Sequence, residues 1–425
     1  MKKRFCILLL FIPFLSMSQY GLEKEIAAIE SKVIEWRRYF HENPELSNRE
    51  FNTAKKIAEH LKSLGIETQT GIAKTGVVGI LKGKRPGKVI ALRADTDALP
   101  VTEITDVPFK STVKTTFLGK ETGVMHACGH DTHTAILMGV AEILAKNNDF
   151  AGTVKFIFQP AEEGPPPGEE GGASLMVKEG VLKNPDVDAI FGLHISAGMD
   201  VGKINYKPGG AMASSQRFVI NVKGKQTHGS SPWSGVDPIL VSAKIIDGLQ
   251  TIISRESQLT NEAAVISVGK ITSGVRFNII PETAELIGTI RTLDYNMRSM
   301  INKRMKEMAP AIAKAYGATA TVSISDTAPI TYNDLALTAQ TLPSLEQAAG
   351  KENVFLAKAI TGAEDFAFFQ EKVPGFYFFI GGKPLDVKPE DATSHHTPSF
   401  YIDESGMILG VKAFIQIVHD YLGKS

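Results

Sequence analysis

The segment 126–133 reads His-Ala-Cys-Gly-His-Asp-Thr-His and is the densest group of metal-capable side chains in the sequence. Cys128 and His130 stand two residues apart, and side chains with this spacing share one face of an extended loop. A thiolate and an imidazole are ligands that zinc and similar divalent ions prefer. The pair therefore predicts a metal site, whereas His126 and His133 are each also compatible with a supporting position behind it or on the surface.

Two adjacent carboxylates, Glu162 and Glu163, follow the apolar run 154–158 at the point where a predicted strand ends. The carboxyl ends of strands are where α/β sheets build their sites, although glutamates in a solvated loop are the simpler interpretation. Neighbouring side chains diverge, so one glutamate can bind a metal ion while the other faces a water molecule. A carboxylate in the second position is the general base that metal-assisted hydrolysis requires.

Further histidines extend the candidate ligand set. His194 ends a predicted strand at 189–194, although such a residue alone is more often a hydrogen-bonded core histidine. His395 and His396 stand side by side in the segment 394–398. Added to one strong cysteine–histidine pair, these dispersed residues suffice for two ions that share a bridging group.

Two aspartates, Asp95 and Asp97, follow another predicted strand at 89–92. Either one can bind a metal ion directly. Either one can instead hold a ligating imidazole through its second ring nitrogen. The sequence alone leaves these two roles open.

These candidates are distributed over a pattern of strands and helices that predicts the α/β class. Strands alternating with helices predict a largely parallel central sheet flanked by helices. From about residue 211 to 326 the order changes to β-α-β-β-α-β, which is typical of a ferredoxin-like α+β unit. We therefore predict a metal-binding catalytic domain made of 19–210 and 327–425, with an inserted lid or dimerisation domain at 211–326.

The first 18 residues have the composition of a secretory signal peptide. Three basic residues at 2–4 precede an apolar run at 5–15, and small residues precede Gln19. The run is shorter than the roughly 20 residues that a permanent transmembrane helix needs. We expect cleavage before Gln19, export to the periplasm or medium, and no stable membrane insertion afterwards; an uncleaved anchor is the alternative.

Net charge and cysteine content exclude some classes of partner and of covalent cross-link. The 425 residues carry a formal net charge of zero, so no overall field favours nucleic acid, and no nucleic-acid partner is predicted. Cys6 lies in the predicted signal peptide, which leaves Cys128 as the one cysteine of the mature chain and excludes an internal disulfide. A bound metal ion would protect such a thiol from oxidation.

Seven ordered motifs resemble those of the peptidase M20 family of metal-dependent amidohydrolases. The similarity is to the branch of hippurate hydrolases, N-acyl-amino-acid aminoacylases and auxin-conjugate hydrolases, and it covers nearly the whole mature chain. The motifs occupy residues 93–100, 125–133, 159–164, 192–194, 278–281, 362–366 and 396–398.

The resemblance implies two divalent ions per subunit, zinc or manganese, at a site where Cys128 bridges them. Glu162 stands at the position of the family's general base, which activates the attacking water and passes its proton to the departing amine. Asp97 is assigned to the catalytic residues. His396 is chosen over His395 because it directly precedes Thr-Pro. The implied metal ligands are Cys128, His130, Glu163, His194 and His396.

In the inserted domain, His228 matches a histidine that reaches a substrate oxygen in relatives, sometimes from a dimer partner. Asn278 and Arg291 are then expected to bind the carboxylate of the amino-acid product, although a surface salt bridge is the alternative for Arg291. The segment 229–231 reads Gly-Ser-Ser where the family usually has alanines, so the substrate's shape near His228 can differ. A homodimer through this domain is a further implication of the resemblance.

The expected reaction is hydrolysis of a small N-acyl amino acid to a carboxylic acid and a free amino acid. A dipeptidase or carboxypeptidase would use the same residues on a peptide bond and is the alternative enzyme. A non-catalytic metal- or conjugate-binding protein of the cell envelope is the alternative from another class. Glu162 argues against that last class, because a binding site needs no carboxylate beyond its ligands.

Overall fold

The computed structural model describes residues 14–423, with side chains from residue 22 onward. Residues 1–13 of the predicted signal peptide lie outside the described part, as do all the side chains of 1–18, so cleavage and export stay predictions. Within 14–423, no helix is both long enough and apolar enough to cross a membrane.

Nine α-helices are described between residues 14 and 423. The third of them begins at His130, so a candidate metal ligand stands at its first residue. The α-helices are α1 Phe14–Glu42, α2 Phe51–Ser63, α3 His130–Lys146, α4 Gly172–Lys178, α5 Pro238–Thr251, α6 Tyr295–Ala315, α7 Leu335–Ala349, α8 Ala367–Gln370 and α9 Met407–Leu422.

The strands form one large sheet, one four-stranded sheet and three small ribbons. In chain order they are β1 Glu67–Ile72, β2 Gly76–Lys82, β3 Arg85–Asp95, β4 Lys114–Phe117, β5 Lys120–Gly123, β6 Ala151–Gln159, β7 Ala189–Asp200, β8 Ile204–Tyr206, β9 Gly209–Met212, β10 Ser214–Lys223, β11 Thr227–His228, β12 Ala264–Ser273, β13 Ile279–Ile280, β14 Thr283–Thr292, β15 Thr319–Ala328, β16 Thr331–Asn333, β17 Val354–Leu356 and β18 Gly375–Lys383.

The large sheet has the order β1-β2-β6-β3-β7-β18-β8-β17. Its centre, β6-β3-β7-β18, is parallel, whereas β1, β2 and β8 are attached through antiparallel pairs. The central strands are buried on both faces, which explains why they appear in the sequence as continuous apolar runs. The predicted fold class, a largely parallel central sheet flanked by helices, is confirmed.

Helices cover both faces of this sheet. On one face α1, α3 and α9 pack together, and their contact is close at Gly139, where an added Cβ would lie 2.8 Å from a methyl carbon of Val33. On the other face, α4 and α8 contribute Met176 and Phe369 to a second apolar cluster. The edge of the sheet between these layers is left open for polar side chains.

The inserted unit has the predicted β-α-β-β-α-β order, formed by β10, α5, β12, β14, α6 and β15. Its sheet, ordered β12-β14-β10-β15, is antiparallel throughout. Apolar side chains such as Phe218, Ile245 and Ile301 form its own core under α5 and α6. These strands run from Ser214 to Ala328, and the domain limits of 211 and 326 stay predictions.

Two sequence interpretations need correction. Strand β7 continues to Asp200, so His194 lies within the strand rather than at its end. The strand continues because its partner β18 extends alongside it to Lys383. The β4–β5 hairpin was not predicted, because its strands are polar and lack an apolar alternation.

Candidate active site

The candidate residues converge at the carboxyl edge of the parallel strands. Strands β3 and β6 are neighbours, and Asp95 pairs with Gln159 where both strands end. The segments that follow these strands therefore emerge side by side. The amino end of α3 approaches from the next layer after a turn at Gly129, whose φ of +99° and 2.3 Å approach of an added Cβ to Ile195 leave room for glycine alone.

Cys128 lies at the centre of the cluster and is buried. Its Sγ atom is 3.4 Å from Nε2 of His194 and 3.2 Å from Nε2 of His396. His194 donates its other ring nitrogen, Nδ1, to the carbonyl of Ile195, so its Nε2 carries the lone pair that faces the sulfur. Nε2 of His396 also lies 3.0 Å from Oε1 of Glu163.

His130 begins α3 and points its Nε2 atom at the two glutamates. This atom lies 3.8 Å from Oε2 of Glu162 and 4.0 Å from Oε1 of Glu163. Nδ1 donates to the backbone carbonyl of Asp97 at 2.8 Å, so that in the neutral ring Nε2 carries the lone pair. His130 is thus held in the form that binds a metal ion.

The donor set fits two divalent ions. Cys128, His130 and His194 form one group of potential ligands, and Cys128, Glu163 and His396 form another, with donor atoms in each group within 4.8 Å of one another. Two ligands of one ion, each about 2.0–2.3 Å from it, lie roughly 3–4 Å apart in tetrahedral geometry. All five predicted ligands are therefore brought together, and Cys128 is common to both groups.

Two observations support a cation at this position. Among the described residues, the buried Nε2 of His130 has no hydrogen-bond partner, and the buried Oε1 of Glu163 has only its 3.0 Å contact with Nε2 of His396. Burial, followed by the charge of Glu163, raises the pKa of the Cys128 thiol, so that a thiolate here needs a positive charge beside it. A metal ion supplies that charge and binds both of these atoms.

Asp97 positions the ligands without being one. Its carboxylate accepts the backbone N–H groups of Glu162 and Glu163, each at 3.1 Å, and the hydroxyl of Ser47 at 2.7 Å. Burial opposes its ionisation, yet hydrogen bonds from His130 and Ser47 outweigh burial and lower its pKa. The structure thus separates Asp97, which holds His130 and the glutamate turn, from Asp95.

Asp95 is paired on both carboxylate oxygens. One accepts Nδ1 of His133 at 2.6 Å, and the other accepts the guanidinium of Arg93 at 2.7 Å. His133 in turn accepts the backbone N–H of Ile195 on Nε2, so both of its ring nitrogens are engaged. His133 therefore supports the site rather than binding metal in it.

The structure distinguishes the two adjacent histidines of the tail motif. His395 donates Nδ1 to the carbonyl of Cys128 and accepts the N–H of Ala197 on Nε2, each at 3.1 Å. Burial lowers the pKa of His395 to about 4, which agrees with a neutral ring. His396 has a φ of +63°, and this left-handed turn directs it away from its neighbour and into the cluster. The geometry therefore favours His396 as the ligand.

Glu162 faces a group of carboxylates that sequence reasoning did not place near it. Glu364 and Asp365 offer oxygens within 4.8 Å of a Glu162 oxygen. Burial, followed by the charges of Glu364, Glu163 and Asp365, raises the pKa of Glu162 well above its ordinary value. The sequence signal that could have found these residues is the motif 362–366.

Buried partners hold this carboxylate group in place. Arg93 lies beneath it, 2.8 Å from Glu364 and 3.1 Å from Asp365. Tyr377 donates its hydroxyl to Glu364 at 2.6 Å. These contacts fix the environment of the glutamate that is the candidate base.

A cavity of about 600 Å³ opens onto the cluster, and Glu162 and Arg291 both line it. Arg291 lies on β14, is half-buried and donates to the hydroxyl of Thr289. Within residues 22–423 it makes no ion pair, so the surface salt bridge considered above is not observed. Its guanidinium remains available to an anionic group in the cavity.

His228 and Asn278 lie elsewhere. His228 ends β11 and Asn278 directly precedes β13 in the inserted unit, where Gly229 donates its N–H to the carbonyl of Asn278. His228 is exposed, and its Nδ1 accepts the hydroxyl of Ser230 at 2.7 Å. Neither residue is among those that line the 600 Å³ cavity. A single chain in this conformation does not bring them to the metal cluster.

Comparisons with known proteins agree with the residue pattern. Residues 91–420 match the model of "Peptidase family M20/M25/M40". The chain is 42% identical over 395 residues to thermostable carboxypeptidase 2 of Saccharolobus solfataricus, covering 92% of this chain and 96% of that one. It is 38% identical over 361 residues to the hippurate hydrolase of Campylobacter jejuni, covering 85% and 90%.

A solved structure provides the corresponding similarity in three dimensions. The YXEP protein of Bacillus subtilis, described as a dinuclear metal binding peptidase from the M20 family, matches with a TM-score of 0.78 and 37% identity, covering 93% of this chain and 99% of that one. The resemblance inferred from the seven motifs is confirmed, and so is the prediction of a hydrolase that acts on amide bonds. The chain belongs to the peptidase family M20/M25/M40.

Proposed function

We propose that the protein hydrolyses the amide bond of N-acyl amino acids and releases a carboxylic acid and a free amino acid. The observation that carries this proposal is the position of Arg291 in the same cavity as Glu162 and the ligand cluster. An unpaired cation beside the reacting groups suits a substrate with a carboxylate close to its scissile amide. Similarity to a hippurate hydrolase supports the same substrate class.

The residues of the site have different roles in the reaction. When bound, the two ions supply Lewis-acid chemistry, which polarises the amide carbonyl and makes water a stronger nucleophile. Cys128, His130, Glu163, His194 and His396 would hold them. Glu162 takes a proton from the attacking water as the oxygen–carbon bond forms, and returns it to the nitrogen as the carbon–nitrogen bond breaks.

Asp97 and Arg93 contribute by holding other residues of the site in place. The Asp97 carboxylate fixes the turn that carries Glu162 and Glu163, and Arg93 fixes the acidic group that faces Glu162. Burial keeps bulk water away from this side of the cavity, which strengthens the electrostatic interactions there. Arg291 orients the substrate by binding its carboxylate.

A carboxypeptidase or dipeptidase is the second candidate. Its favouring observation is the same Arg291, because a peptide's terminal carboxylate lies at the same distance from the scissile amide as that of an N-acyl amino acid. Similarity to a thermostable carboxypeptidase also supports it. The two candidates differ only in the group on the acyl side of the amide.

We also propose a homodimer in which the inserted unit of one subunit meets the other subunit. Near the β11–β13 ribbon, Trp233, Val275 and Phe277 are 81%, 94% and 96% exposed. Exposed apolar side chains in one region are typical of an interaction surface. A partner chain at this surface is also the means by which His228 and Asn278 would reach a cavity.

Export is proposed from the first 18 residues alone. The chain produced in a bacterial host with its natural start should begin at Gln19 when isolated from the periplasm. Amino-terminal sequencing checks this, and a chain that retains residues 1–18 in the cytoplasmic fraction contradicts it.

The proposed activity is tested by amine release from N-benzoylglycine and from its uncharged counterpart, N-benzoylglycinamide. We expect chelator-sensitive release and a preference of roughly 10²-fold in kcat/KM for the carboxylate substrate, because it alone pairs with the half-buried guanidinium of Arg291. Arg291→Gln should abolish this preference. Arg217→Gln, on the exposed face of the neighbouring strand β10, is the matched control and should retain it.

Two results would contradict the proposal. One is equal turnover of the two compounds by the unaltered protein. The other is release from dipeptides with none from any N-acyl amino acid, which would favour the peptidase candidate.

A further inference from the structure

A second cavity, of about 450 Å³, lies against the candidate active site. Its walls come from the loop after β3, the β4–β5 hairpin and the three consecutive prolines at 165–167. Glu163 and Gly164 line both cavities, so the two meet at this segment. An added Cβ at Gly164 would have no heavy atom within 4 Å, so the space beside it is open.

The two cavities differ in charge. The first contains Arg291, whereas the cation at the second, Arg49, is paired with Glu169 at 2.6 Å. The remaining wall is largely apolar and includes Leu99, Phe117 and the prolines. The second cavity is therefore suited to an uncharged, apolar group, and its volume lies within the roughly 300–1,000 Å³ of typical ligand pockets.

Leu118 at the tip of the β4–β5 hairpin gives an independent indication of a ligand. Leu118 and Gly119 form the two-residue turn, with φ of +49° and +78°. Such turns favour Asn-Gly, because a leucine in the left-handed region is strained. Leu118 is also 69% exposed and lines the cavity. A strained backbone that presents an exposed apolar side chain is typical of a binding site.

We propose that this second cavity binds the acyl group of the substrate, and that the group is an aromatic ring or a medium-length aliphatic chain. The inference rests on the proposed hydrolysis of N-acyl amino acids. With the substrate carboxylate at Arg291 and the amide beside Glu162, the acyl group extends past Gly164 into the apolar cavity. Leu118 closes over it from the hairpin tip.

The test compares N-benzoylglycine, N-octanoylglycine and N-acetylglycine as substrates of the metal-loaded protein and of Leu118→Asn. Asparagine suits the turn, so the melting temperature should stay unchanged or rise. The kcat/KM for the benzoyl and octanoyl substrates should fall roughly 10-fold relative to that for the acetyl substrate, because the apolar cover is lost. Leu385→Asn is the matched control, since Leu385 is 72% exposed and lines neither cavity, and it should change no ratio.

A second variant fills the cavity instead of uncovering it. Thr115→Trp should lower kcat/KM for the two large substrates and leave turnover of N-acetylglycine within about twofold. Equal effects of either variant on all three substrates would overturn the acyl-cavity inference and leave the proposed hydrolase standing. Absence of release from every substrate by the unaltered protein would refute the proposed function itself, and the inference with it.

Discussion

The carboxyl edge of the central sheet and the inserted four-stranded unit contribute to function in different ways. At the sheet edge, residues 268 positions apart in the chain meet in one cluster around the buried Cys128. In the inserted unit, His228 stands exposed on a short ribbon and faces no described metal-capable group. The sheet thus brings its residues together within one chain, whereas His228 would reach such a cluster only through a second chain or a movement.

The difference follows from packing. Parallel strands end at one edge, and buried carboxylates there are paired with N–H groups and guanidinium, as Asp97 and Asp95 illustrate. Such pairing leaves few alternative arrangements. The β11–β13 ribbon is a separate two-stranded sheet and has Trp233 and Phe277 exposed beside it. The environment of His228 therefore depends on what covers the surface around Trp233 and Phe277.

The largest effect is expected from Cys128→Ala. Removal of the ligand common to both groups should weaken the binding of both ions and lower the rate of amine release by more than about 10³-fold. His395→Asn is the control, because His395 contacts backbone groups on both sides, and it should retain both ions. Elemental analysis of the dialysed proteins measures this, and a Cys128→Ala protein with two tightly held ions would contradict the shared position.

His228→Ala sharpens the contrast between the two regions. We expect about 10²–10³-fold lower kcat with unchanged metal content, as for the loss of one donor to a developing oxyanion. Mixed dimers of His228→Ala with Cys128→Ala should regain activity, because one of their two sites combines an intact cluster with an intact His228. Mixed dimers that stay as inactive as either parent would show that His228 does not act across subunits.

Asp97→Asn should have an intermediate effect. Asparagine cannot accept both backbone N–H groups and hold the His130 ring with the same charge, so metal affinity should fall about 10–100-fold. Competition with a chromophoric chelator measures the affinity. Ser47→Ala removes one hydrogen bond to the same carboxylate and should cause a smaller loss; a larger loss than that of Asp97→Asn would contradict the assignment.

The smallest effect concerns Glu50, which accepts the N–H of Ala161 and the hydroxyl of Thr75. Burial and then the charge of Asp97 raise the pKa of Glu50 from 4.5 to about 7. The folded state therefore holds a proton that the unfolded state loses, and stability falls as the pH rises from 4.5 to 7, by up to about 3 kcal/mol.

Glu50→Gln should remove this component of the pH dependence, because glutamine stays neutral and can satisfy both partners. Urea unfolding of the metal-free proteins at several pH values between 4 and 8 measures it. Parallel stability curves for the two proteins would contradict the assignment.

The sequence predicted the fold class and the ligand types because both depend on local pattern. Apolar runs mark the parallel strands, and Cys128 and His130 are two residues apart in the chain. The choice between His395 and His396 depends instead on one left-handed residue and on contacts to Ala197 and Cys128. Such contacts involve residues distant in the chain, and spacing carries no information about them.

The supporting residues were harder still to predict. Glu364 and Asp365 stand about 200 residues from Glu162, and only the folded sheet brings the three carboxylates together. The β4–β5 hairpin is polar, so hydrophobic periodicity could not reveal the strand that bears Phe117 or the turn at Leu118. Hydrophobic periodicity detects strands with a buried face, whereas this hairpin is held by the backbone hydrogen bonds between its two strands and by contacts with loops.

The most direct test of the central claim is the rate of amine release by Glu162→Gln, measured with its metal content. Glutamine keeps the size of the side chain but cannot accept the proton from water. We predict two bound ions, as in the unaltered protein, and a rate about 10³-fold lower. A variant that holds both ions and retains more than about a tenth of the rate would show that Glu162 is not the base.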